Sequence, residues 1–120
     1  MATTTRGEHL EYALKEVRGV LVITFTGPKL PFDTREDLYD LVDVQGRAQL
    51  VLNFENVRVM TSAPIGVLVA LKKKTSAIGG SVSLCRVDAD LLEMLQITRT
   101  AQLFGIFDDE ESAIAAFVRE

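Results

Sequence analysis

The spacing of apolar positions divides this chain into strands and helices that take turns. Leu10 to Val17 reads as a short strand, Arg18-Gly19 as a turn, and Val20 to Thr26 as a strongly β-branched strand, so the two predict a hairpin. Gly27-Pro28 breaks the second strand, and Pro31 keeps the following loop from becoming helical. The period then changes. Asp33 with Glu36 fits a capping box, and Leu38, Leu41 and Val42 recur at helical spacing toward Gly46. Leu50 to Leu52 is a fully apolar run of the kind buried on both faces of a parallel sheet. Thr61 or Ser62 caps a second helix, with Pro64 in its first turn, lysines in its later part and Gly79-Gly80 past its end. Ser81 to Cys85 predicts another strand. Asp88 caps a helix carrying Leu91, Leu92, Met94 and Leu95, with Val87 placed to staple against Leu92. Leu103 to Phe107 contains a last short strand, and Asp108 with Glu111 caps a terminal helix bearing Ile114, Phe117 and Val118.

Strands that alternate with helices imply right-handed crossovers. The expected fold is therefore one α/β domain, a small mixed but mostly parallel sheet of about five strands backed by about four helices. Residues 10–118 form that domain, and residues 1–9 a loose N-terminal tail. No internal repeat, linker or low-complexity segment interrupts it.

Composition narrows the function. The 120 residues are 48% hydrophobic, enough for a core without disulfide or metal staples. A net charge of -4 gives no basic field for phosphate backbones, so nucleic acid is not an expected partner. The polar start, Met1 to Gly7, lacks the apolar region of a secretory signal, and Ile65 to Leu71 is too short to cross a bilayer. Cys85 stands alone in an apolar strand, as a packed thiol in a reducing compartment. The expected location is the cytoplasm, with no membrane insertion.

The usual reactive groups are missing. His9 is the one histidine and lies in the tail, which removes histidine-based triads and most zinc sites. Neither GxxxxGK[ST] nor GxGxxG occurs. The acidic run Asp108 to Glu111 has a sufficient role at a helix N-terminus, and Lys72 to Lys74 reads as the solvated side of a helix. No enzyme, metal or cofactor is expected, and a binding module is.

The informative stretch is Val59-Met60-Thr61-Ser62-Ala63-Pro64-Ile65-Gly66-Val67-Leu68. A buried strand leads through a loop to hydroxyls placed where a helix begins. Free N–H donors and partial positive charge collect there, so a phosphate on Ser62 would be stabilised and would recharge the surrounding surface. Capping alone also accounts for Ser and Thr at this position.

The hairpin, the strand Leu50-Val51-Leu52-Asn53, the Ser62 turn with Gly66-Val67-Leu68, the Gly79-Gly80 ending, Leu95 with Ile97-Thr98, and Leu103-Phe104 with Ile106-Phe107 before an acidic last helix together resemble a STAS domain of the anti-sigma factor antagonist type. The resemblance covers about Leu10 to Phe117 and lies in the order and spacing of all these pieces. It implies a small sheet backed by helices. In bacterial members of this type the unphosphorylated domain binds an anti-sigma kinase, and phosphorylation of a serine at the start of the helix after the third strand breaks the complex. The matching position is Ser62, and the implied partner surface is Thr61, Ser62, Ala63, Pro64 and Ile65, flanked by the loop Gly27 to Asp33.

This chain departs from the family turn, which usually reads Asp-Ser-Ser/Thr-Gly-Leu-Gly. Thr61 replaces the Asp, Ala63 removes a second hydroxyl, and Pro64 replaces a glycine; the glycine that follows Thr98 in the family is Arg99 here. The proline removes an N–H and stiffens the turn a kinase must approach. The resemblance therefore implies partner switching with a serine-kinase anti-sigma factor or another regulatory protein. The alternatives are an unphosphorylated scaffold or accessory subunit, in a stress-sensing complex or a lipid ABC transporter, and a small-ligand or nucleotide sensor at the strand C-terminal ends. Homodimerisation stays open.

Overall fold

The computed structural model describes residues 2–4, 12–28, 35–59 and 62–118. Its strands are β1 (Ala2–Thr4), β2 (Tyr12–Val17), β3 (Val20–Phe25), β4 (Gln49–Asn53), β5 (Ser81–Cys85) and β6 (Gly105–Phe107). Its helices are α1 (Arg35–Asp43), α2 (Ser62–Ala77), α3 (Ala89–Ile97) and α4 (Glu110–Val118), with a 3-10 turn at Ala101–Leu103. The strands form one sheet in chain order, antiparallel from β1 to β3 and parallel from β3 to β6. This is the mixed, mostly parallel α/β fold that the hydrophobic pattern predicts.

The hairpin follows from two residues. Val17 pairs with Val20, and the intervening Arg18 and Gly19 both have positive φ, 51° and 84°. A two-residue turn of that hand matches the twist of its flanking strands. The sixth strand comes from a segment expected as tail: Ala2–Thr4 pairs with β2, whose outer edge would otherwise present unsatisfied backbone groups. Residues 5–11 lie outside the described residues, as do Asp33 and the capping box expected there.

Alternation along each strand divides the core between two faces. Leu21, Ile23 and Phe25 of β3, Leu50 and Leu52 of β4, and Val82 and Leu84 of β5 pack with Leu38, Leu41 and Val42 of α1, Val67, Leu68 and Leu71 of α2, and Leu91 and Leu95 of α3. The other face places Val20, Val22, Val51 and Cys85 under Ala113 and Ile114 of α4. Burying side chains of this size on both faces stabilises the fold by roughly 1.5–3 kcal/mol each.

Helix ends follow local chemistry. The Leu91 N–H donates to Asp88 Oδ1 at 2.9 Å, so Asp88 caps α3 as expected. Past α2, Gly79 takes φ 85° while Gly80 N–H donates to Thr75 O at 2.8 Å. The cap of α4 is corrected by one residue. Asp109, not Asp108, accepts from the Ser112 N–H, at 2.7 Å, because the helix begins at Glu110.

Candidate functional site

The chain leaves β4 at Asn53 and reaches α2 through a loop fastened at most of its residues. Phe54 N–H donates to Cys85 O at 2.9 Å, and Glu55 N–H to Asn53 Oδ1 at 2.9 Å. Asn56 Nδ2 donates to Phe25 O at 2.9 Å. Phe54 and Val57 are fully buried, and the Phe54 ring meets Phe25 edge-on with centroids 5.5 Å apart. Arg58 and Val59 N–H groups both donate to Pro28 O, at 2.7 and 2.9 Å. That last pair places the start of the Gly27 loop beside the segment entering α2, as the sequence reading expects. Residues 29–34 of that loop lie outside the described residues.

Ser62 is the first residue of α2. Parallel β3 to β6 put the starts of α2, α3 and α4 at one end of the sheet, where the strands finish. The first turn of α2 holds no acidic side chain, so its N–H groups and partial positive charge are not offset by a carboxylate on the helix itself. Thr61 lies outside the described residues, as do the side chains of Ser62 and Ala63.

The expected contact residues divide. Pro64 and Ile65 are buried, Ile65 at 8% exposure, within the first turn of the helix rather than in a turn preceding it. A partner cannot rest on side chains that pack inward, so these two support the site from below. Gly66 is exposed one position on, as is Val59 before the helix. The departure at Arg99 has a backbone counterpart: its φ is 62°, the left-handed conformation glycine adopts freely.

A polar cluster that no sequence motif marks lies on the α4 face. Lys15 Nζ donates to Glu110 Oε1 at 2.6 Å, and Asn53 Nδ2 donates to Glu110 Oε2 at 3.0 Å. Burial would raise the Glu110 pKa, but the hydrogen bonds from Lys15 and Asn53 and the charges of Lys15 and Arg86 outweigh it and hold the carboxyl below its ordinary value. Cys85, beside Asn53 in the sheet, is buried, which together with Glu110 pushes its thiol up to about 12. A polar residue directly after the apolar run Leu50 to Leu52, Asn53, is the available signal.

Among the described residues, no group of three or more His, Cys, Asp or Glu side chains could hold a metal ion. No helix in them is long and apolar enough to cross a membrane. An open hollow of about 400 Å³ lined by Gln96, Arg99, Ala101 and Gln102 lies where α3 ends. That is the opposite end of the sheet from Ser62.

The STAS domain model matches residues 11–113. The chain is 26% identical over 110 residues to an anti-sigma F factor antagonist of Paenibacillus polymyxa, covering 88% of this chain and 93% of that one. Among solved structures, the NMR structure of protein TM1081 of Thermotoga maritima superposes with a TM-score of 0.80 at 20% identity, covering 98% of this chain and 97% of that one. The anti-sigma factor antagonist SpoIIAA in its unphosphorylated form gives 0.73 at 21% identity, covering 88% and 95%. At these identities the structures establish the shared fold.

Proposed function

This chain belongs to the STAS domain family, and we propose that it acts as a regulatory protein–protein interaction domain of the anti-sigma factor antagonist type. Its partner surface is centred on Thr61, Ser62 and Ala63, with Pro64 and Ile65 as the buried support. The partner is a serine-kinase anti-sigma factor in the cytoplasm, and Ser62 is the phosphoacceptor. The domain has no catalytic role of its own.

The observation that carries this reading is the position of Ser62 at the opening of α2, at the end of a loop fastened through Asn56, Arg58 and Val59, with no acidic residue in the helix's first turn. A phosphate there gains stabilisation from the helix N-terminus and adds about 1.5 to 2 negative charges to a small contact surface. A few contacts dominate a surface of this size, so one phosphate is enough to abolish binding.

The test is phosphosite mapping of the protein from its native host with and without stress, paired with binding of wild type and Ser62→Asp to the host's anti-sigma kinases. A phosphate on Ser62 that varies with conditions, together with loss of binding in Ser62→Asp, is the expected result. A second reading is a scaffold or accessory subunit that is never phosphorylated. The buried Pro64, where the family turn has glycine, favours it by stiffening the approach to Ser62. An unmodified chain, with partner binding that survives Ser62→Asp, would establish that reading instead.

A further inference from the structure

The Asn53 side chain has one orientation open to it. The Glu110 carboxylate only accepts and the Glu55 N–H only donates, so the Asn53 amide turns its Nδ2 to Glu110, at 3.0 Å, and its Oδ1 to Glu55, at 2.9 Å. Asn53 is 4% exposed, so water does not readily replace either partner. Lys15 holds the second carboxylate oxygen of Glu110 at 2.6 Å and keeps that side chain over the strand ends. One amide thus joins the first residue of α4 to the loop that leads to Ser62. Farther along, that loop is fastened to Phe25 and Pro28; at its beginning it is fastened by the Asn53 amide and by Phe54 N–H on Cys85 O.

We propose that Glu110 is a positioning residue for the loop that leads from β4 to α2, acting through Asn53, so that docking of α4 on one face of the sheet controls the order of that loop where it begins at Glu55. Without the carboxylate, the buried Asn53 Nδ2 must find another acceptor, and the rotation that finds one releases the Glu55 N–H. The coupling is reciprocal: a partner that grips this loop tightens α4, and a ligand that displaces α4 loosens the loop. This regulation rests on the reading of Ser62 as the centre of the partner surface.

The experiment is amide hydrogen exchange by NMR on the full chain, comparing wild type, Glu110→Ala, Asn53→Ala and the double variant. Glu55 N–H is expected to exchange about tenfold faster in each single variant, with no further increase in the double. The Leu52 and Leu84 amides inside the sheet should keep their protection. Unchanged Glu55 protection in Glu110→Ala, alongside its loss in Asn53→Ala, would overturn the proposal, because Asn53 would then hold the loop unaided. Should Glu110→Ala not fold, Glu110→Met keeps the side-chain bulk without a comparable acceptor and is expected to show the same increase; no increase there also overturns it. The Glu55 amide reports the link whether or not Ser62 is ever phosphorylated. A failed phosphosite map and a failed exchange experiment therefore point to different claims.

Discussion

Gly80 and Ala48 meet backbone to backbone: a Cβ on Gly80 would stand 1.8 Å from the Ala48 carbonyl oxygen. That same oxygen accepts the Ser81 N–H at 2.8 Å, so the contact sets the register in which β5 enters beside β4. Gly80→Ala is expected to lower stability by about 2–4 kcal/mol, since backbone must move. Urea unfolding would read this as a lower midpoint at unchanged slope. Gly79→Ala makes the useful contrast. It meets open space but carries φ 85°, so its cost is about 1–2 kcal/mol of backbone strain.

Arg99 closes α3 in the conformation glycine would adopt freely. With φ at 62°, its N–H donates to Gln96 O at 3.0 Å and the Thr100 N–H to Leu95 O at 2.8 Å, the paired bonds of a Schellman ending. Arg99→Gly should stabilise the domain by about 0.5–1 kcal/mol, the relief of left-handed strain exceeding the extra chain entropy of glycine. Thermal unfolding at fixed protein concentration measures it, and a fall in Tm would contradict the strain argument.

Acid should weaken the attachment of α4 before the rest of the fold. Hydrogen bonds from the Ser112 backbone and hydroxyl hold Asp109 below its ordinary value of 3.8. Glu110 is held below 4.5: burial raises it, and Lys15 and Asn53 more than compensate. Both folded values lie below the unfolded ones, so their stabilisation is present above the unfolded values and lost as pH falls through the folded ones. Stability measured in urea should decline below about pH 4.5, and Glu110→Gln should make that decline shallower.

Cys85 lies under α4 with its thiol pushed up to about 12 by burial, with Glu110 adding to the effect. At pH 8 it should resist an alkylating reagent in the folded protein and react at an ordinary rate once unfolded in urea. The linkage runs the other way from the carboxylates. The unfolded thiol ionises first, near 9.0, so stability from the neutral buried thiol is full below that pH and falls as pH rises toward about 12. Rapid labelling of the native chain at pH 8 would show that α4 opens far more readily than its packing implies.

Most of the fold was legible because its signals are local. The β-branched run Val20 to Thr26, the Asp88 cap and the Gly79-Gly80 stop each act within a few residues, and the structure places β3, α3 and the end of α2 accordingly. The cap of α4 moved by one residue because Asp108 and Asp109 are chemically alike, and only the packing of Ala113 and Ile114 chooses between their registers. Strand β1 was missed because Ala2–Thr4 carries no apolar alternation; it forms by backbone pairing with an open edge.

By itself the sequence determined the order of elements from β2 to α4, the parallel run of strands in a mixed sheet and the place of Ser62 at a helix start, because periodicity, caps and turn residues act over short range. Tertiary structure alone decided that Pro64 and Ile65 turn inward, that Pro28 ties the two loops together, and that Lys15, Asn53 and Glu110 meet. Those three residues are separated by tens of positions in the chain, and no local pattern encodes a contact that exists only when a sheet brings strand ends under a helix.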